Sequence, residues 1–387
     1  MRLLVVLLAL TGPQASWADS RPRVFHAVDV QIPSPPLPVN VAGKRHLAYE
    51  LHITNFRPTE VTLTRIEVLA ADSGNRLGDF SGAELNDRLG RPGVPREVAN
   101  KRVIGAGMRA VFYVWVALDD DAATPSMLRH KIEIDIIRES NREHAIVDAG
   151  ALAVRNERPV VLNRPLRGGP WVAIYDPMLI GGHRTAIYAV DGRARIPARF
   201  AIDWVKLDDN ATRARGDESQ VANWHGYGAE VLAVADATVV ETMDDLPDSP
   251  SFSKGSHAPI PLENVSGNYV CLDLGGGRFA FYEHLKQGSI KVKARDRVKS
   301  GQVLAQLGNS GSTSSGPHLH FHVGDGKSEL ASEGLPYVFK NFEIVGAYNS
   351  IDAIGTDQRW TAPPPGTGGA RKHELPAPKT VVNFPAE

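Results

Sequence analysis

The chain holds a single cysteine, Cys271, among its 387 residues, so no disulfide can form within it. Stability must therefore come from packing, or from a bound ion. Cys271 lies in the strand-like YVCLDL with no general base beside it in sequence, and reads as a small core residue rather than a nucleophile. An excess of one charge is missing too: 43 Lys and Arg face 44 Asp and Glu, a formal net charge of −1. That balance leaves no basic footprint for nucleic acid. After the first residues no apolar run approaches the ~20 residues that a spanning helix needs.

The one early apolar run has a different signature. MRLLVVLLALTGPQASWADS begins with Arg2, runs apolar over residues 3–10, breaks at Gly12 and Pro13, and offers Ser16 and Ala18 ahead of Asp19. This predicts a signal peptide over 1–18, cleaved after Ala18, and an exported mature chain in the periplasm, the cell envelope or outside, with no membrane span of its own.

The length allows two domains, or three. Over 23–165 the apolar pattern has period two: HLAYELHITN alternates Leu47, Tyr49, Leu51 and Ile53, and VTLTRIEVLA, AVFYVWVAL and HKIEIDII continue it between Gly, Asp, Asn and Pro turns. Alternation of this kind predicts an all-β fold that begins with an antiparallel β-sandwich, possible immunoglobulin-like strand order included, serving to bind or position. His46, His52 and His130 fall at exposed-face positions, suited to solvation or a hydrogen bond. A glycine-rich loop at 168–183 leads into a second region, 171–346, again of strands. Gly275, Gly276 and Gly277 supply the positive φ a tight hairpin needs there. PPPGTGG marks 347–387 as a Pro/Gly-rich tail with little capacity to bury apolar surface.

SGPHLHFHV sets His318, His320 and His322 at alternate positions. Residues two apart in a strand share a face, ~7 Å apart. Leu319, Phe321 and Val323 then face a core, and the imidazoles face a site suited to metal ligation or proton transfer.

The ordered blocks EVLAVADATVV, GNYVCLDLGGGRFAFYEHL, GSIKVKARDRVKSGQVLAQLGNSG and PHLHFHV resemble the lysostaphin-type zinc endopeptidase domain, over residues 198–324. The resemblance implies a β-sheet groove, a zinc cofactor, and hydrolysis of peptide cross-links or stem peptides of bacterial peptidoglycan. By position it implies Asp203 and His320 as zinc ligands and His284 and His318 as catalytic histidines. It also exposes a departure, because the family's first zinc histidine falls on Arg199. Catalytic zinc keeps three protein ligands and one open position, and a fixed cation ~4 Å from the ion costs about 4 kcal/mol per unit of its charge at an effective dielectric of ~20.

Two resolutions stay open on sequence. Either His225, His183 or His322 completes the shell, with His183 and His225 the better placed, or Arg199 forks onto Asp203 and the groove holds no metal. Arg199, His322 and Asn309 are expected beside the metal or against substrate, with Asn309 and Ser310 shaping a turn. If zinc binds, it activates a water that His284 and His318 orient. The competing function is a catalytically inactive relative that binds wall material or regulates a partner hydrolase of the envelope. A likeness to biotinyl and lipoyl carrier hairpins is also present, but Lys291, Lys293 and Lys299 lack the carrier setting.

Overall fold

The structure, a computed structural model, describes residues 28–385 apart from 96, 97, 120, 121, 139, 140, 180, 254–259, 313–315, 357 and 367. The expected signal peptide lies outside the described residues. Among those residues no helix is long and apolar enough to cross a membrane.

The architecture is nearly all β. The first module packs two antiparallel sheets. One orders Val28–Gln31, Lys44–Asn55, Arg109–Ala117 and Leu89–Gly90, and the other orders Asn141–Ala153, Met127–Arg138, Val61–Ala70 and Arg76–Ser81. Between them lie the predicted Leu47, Tyr49, Leu51 and Ile53, with Leu63, Ile66, Val68, Phe112, Val114, Ile132 and Ile134. Each such side chain contributes roughly 1.5–3 kcal/mol when removed from water.

Alternation misleads on the opposite face. Ala48, Glu50 and His52 are buried as well, because this sheet has a second neighbour. Val111 and Tyr113 pack on Ile196, and Val39, Val41 and Ala48 join the core of the second region. His130, expected on an exposed face, is wholly buried and hydrogen-bonded to the Tyr49 hydroxyl at 2.8 Å. Desolvation lowers its pKa to about 4.

A stability change with pH follows from that burial. The unfolded histidine takes its proton near pH 6.5 and the folded one near 4, so acidification between these values favours the unfolded chain, by up to roughly 3 kcal/mol from this residue. Denaturant titrations at pH 7.5 and 4.5 should show the loss, and His130→Gln should remove part of it.

The second region is built on a ten-stranded sheet. Its order is Arg297–Val298, Ala237–Met243, Asn268–Gly275, Arg278–Leu285, Leu319–Gly324, Ile202–Lys206, Gly168–Ile174, Thr380–Phe384, Phe342–Ala347 and Gly369–Arg371. The predicted glycine hairpin joins Asn268–Gly275 to Arg278–Leu285, with positive φ at Gly275, Gly276 and Gly277. Cys271 is a free, fully buried thiol, pushed up to about 12 by desolvation, which fits packing.

The expected tail is a correction. Residues 380–384 form a strand inside the sheet, between Gly168–Ile174 and Phe342–Ala347, and Leu375, Val381, Val382 and Phe384 are buried. The local apolar run TVVNF outweighs the Pro/Gly composition that precedes it.

Candidate metal and catalytic site

Three adjacent strands set the site. Ile202–Lys206 pairs with Leu319–Gly324 so that Asp203 lies opposite His320, and Arg278–Leu285 pairs on the other side with Glu283 opposite His320 and Phe281 opposite His322. Directly opposed residues share a face, so Glu283, His320 and Asp203 form one row. Leu319, Phe321 and Val323 turn the other way into the core, as the alternation implied.

His284 breaks that alternation. It has φ +61°, and pairing with the neighbouring strand shifts register between Asn268 and Val270. This bulge lets the consecutive residues Glu283 and His284 both line one cavity of about 400 Å³. A left-handed backbone at a non-glycine residue costs on the order of 1–3 kcal/mol. Two backbone bonds hold it, His284 N–H to Ser266 O at 2.9 Å and Gly308 N–H to His284 O at 3.0 Å.

His318 is fixed by a turn that requires glycine. Gly316 has φ +76°, and a Cβ there would meet Trp224 at 2.3 Å. The Gly316 carbonyl accepts from His318 Nδ1 at 2.7 Å, as the Ser310 carbonyl accepts from His284 Nδ1 at 2.9 Å. Both rings thus carry the proton on Nδ1 and keep Nε2 for the site. Their centroids are 4.7 Å apart.

Asp203 is the hub. Its Oδ1 lies 2.9 Å from His320 Nδ1 and 3.4 Å from His318 Nε2, and its Oδ2 lies 3.2 Å from His183 Nε2. Burial alone would raise this carboxyl, but the histidines, His183 and His318 foremost, hold it well below the usual range. Burial pushes His284 well down, with His318 and His320 adding to the effect.

The expected residues divide sharply. Asp203, His183, His284, His318, His320 and His322 all line the one cavity. His225 stands elsewhere, 3.3 Å from Thr212 Oγ1 and 3.9 Å from Asp208. Asn309 is buried behind the groove, donating to Ser249 O at 2.9 Å, and shapes the turn rather than lining the cavity. His322 stacks on Phe281 at 4.6 Å, with Nδ1 3.2 Å from His320 Nε2 and 3.5 Å from Glu283.

Arg199 does not fork onto Asp203, and it does not line the cavity. Its guanidinium donates to Glu50 Oε2 at 3.0 Å, to Glu333 Oε2 at 2.7 Å and to the Gly334 carbonyl at 2.9 Å. Burial would raise the Glu50 carboxyl, but Arg199 and Arg184 draw it below its ordinary value. Sequence reasoning passed over Glu50, Arg184 and Glu333. Arg199, four residues before Asp203 in a strand-like segment, was the available signal, since a buried cation needs carboxylates somewhere.

The ligand geometry suits a metal. His183, Asp203 and His320 offer ligand atoms that all lie within 4.8 Å of one another. Two imidazoles and a carboxylate are a three-ligand set of the kind catalytic zinc uses. Glu283, His320 and His322 form a second such group.

The fold and the site together define a β-sheet cavity lined by histidines around a buried carboxylate, a grouping able to hold a metal ion. Residues 223–331 match the family model described as Peptidase family M23. The match takes in His284, His318 and His320 and begins after Asp203. Among curated proteins no relative matches. Similar solved structures include a putative peptidase M23 from Pseudomonas aeruginosa, 14% identical, covering 72% of this chain and 92% of that one, with TM-score 0.26. A zinc containing peptidase from Vibrio cholerae is 15% identical, covering 75% and 80%, with TM-score 0.26. The catalytic domain of the antimicrobial peptidase lysostaphin from Staphylococcus simulans is 18% identical, covering 44% and 88%, with TM-score 0.22.

Proposed function

We propose that the chain is an exported zinc metalloendopeptidase acting on peptides of bacterial peptidoglycan, with His183, Asp203 and His320 as the metal ligands. The observation that carries this reading is the convergence of those three residues on one side of a cavity that also holds His284 and His318. Bound zinc would polarise the scissile carbonyl and acidify a water.

The chain's own residues do the rest. His284, kept neutral by burial and with Nδ1 bound to Ser310, turns a free Nε2 to the cavity and accepts a proton from the attacking water. His318, held by Gly316, presents Nε2 beside Asp203; protonated there as well, as an imidazolium paired with that carboxylate, it would hydrogen-bond the developing oxyanion, while the proton that His284 takes from water passes to the leaving amine. Asp203, ionised within a ring of imidazoles, orients His320 and His183. Export is supported by the N-terminal signal pattern, and the wall substrate by the lysostaphin-like blocks.

Purified protein should release dye from labelled peptidoglycan, lose that activity to a chelator and regain it with zinc. Hydrolysis unaffected by the chelator would refute the metal mechanism. Binding to the wall without hydrolysis, zinc present, would favour the inactive relative.

A further inference from the structure

We infer that the first module is a working part of the metal centre, and that Glu50 is the positioning residue through which it delivers His183 in place of the ligand Arg199 does not supply. The inference rests on the zinc assignment proposed above and deepens it.

One carboxylate does two things. Glu50 sits mid-strand in Lys44–Asn55, opposite Tyr113, on the face of the sandwich turned toward the second region. It accepts from Arg199, which occupies the position where the resemblance places a zinc histidine, and with Glu333 and the Gly334 carbonyl draws that guanidinium off Asp203. It also accepts from Arg184 Nε at 3.1 Å.

Arg184 is the chain neighbour of His183. The two belong to the short 3-10 turn His183–Thr185. The Arg184 guanidinium enters the first module, donating further to the backbone carbonyls of Tyr49 at 3.0 Å and Val114 at 2.6 Å, and it lies 5.6 and 5.5 Å from the Tyr113 and Trp115 rings. From the residue before it, His183 reaches the other way, to Asp203 at 3.2 Å. The turn is thus pinned on the sandwich by Arg184 and offers a ligand with the residue before it.

A ligand on a free loop would lose conformational entropy on binding, whereas a pinned one is already placed. The network also removes the repulsion that an unpaired arginine would exert on the ion. Both effects raise metal affinity, and both pass through Glu50.

The test uses the full-length chain and zinc alone. Zinc affinity is measured by competition with a chromogenic chelator for wild type, His183→Ala, Glu50→Gln and Arg184→Lys, with circular dichroism to establish folding. Glu50→Gln and Arg184→Lys should weaken zinc binding on the order of 10–100-fold, and excess zinc should restore hydrolysis in both, which a purely structural defect would not permit. Wild-type affinity in folded Glu50→Gln and Arg184→Lys overturns the inference while leaving the zinc assignment intact. Should Glu50→Gln not fold, Arg184→Lys decides alone. Absence of zinc binding in wild type overturns the assignment and this inference together.

Discussion

Replacing His183 by alanine is expected to abolish stoichiometric zinc binding and, with it, hydrolysis of wall peptides. Only two protein ligands, Asp203 and His320, would remain for that ion, one short of the three that catalytic zinc typically keeps. The loss should exceed the roughly 10–100-fold that removal of a supporting residue around a metal costs. His183 is partly exposed, at 28% of its side chain, so the truncation opens little core and the fold should survive. His225→Ala should leave zinc affinity at the wild-type level, because that histidine serves Thr212 and Asp208 on a separate surface. Metal analysis after gel filtration of both variants checks the pair of outcomes. Equal zinc content in His183→Ala and wild type would contradict the ligand set.

His284→Ala should lower kcat by roughly 10²–10⁴-fold, the span attributed to a positioned general base, with zinc content unchanged. The reason is geometric. The ring is tied to Ser310 through Nδ1, is buried, and faces the cavity from a bulge next to His318. It has no short contact to the carboxylate hub comparable to those of His183, His318 and His320. Removing it therefore takes away proton transfer and leaves the ligands. Steady-state kinetics with a labelled peptide, alongside metal analysis, separates the two roles. Loss of zinc in this variant would move His284 into the ligand set.

Part of this site was legible from residue spacing. Period two across HLHFHV assigned three histidines to one face and Leu319, Phe321 and Val323 to the core, and the paired strands bear that out. The blocks resembling lysostaphin-type enzymes pointed to Asp203, His284, His318 and His320, and the fold brings these four to one cavity. Other features were hidden for definite reasons. Pattern alone could not separate His183 from His225, since both lie in irregular segments whose path is set by distant contacts. His284 reaches the cavity only through a left-handed residue, which alternation does not anticipate.

By itself the sequence determined the β class, which side chains of a regular strand share a face, and the histidine row, because side-chain direction in a regular strand follows the local backbone period. Tertiary structure alone decided where Arg199 goes and which further histidine lies beside Asp203. Glu50 lies 149 residues away in the chain, and a buried guanidinium takes its carboxylate from whatever surface the fold lays against it.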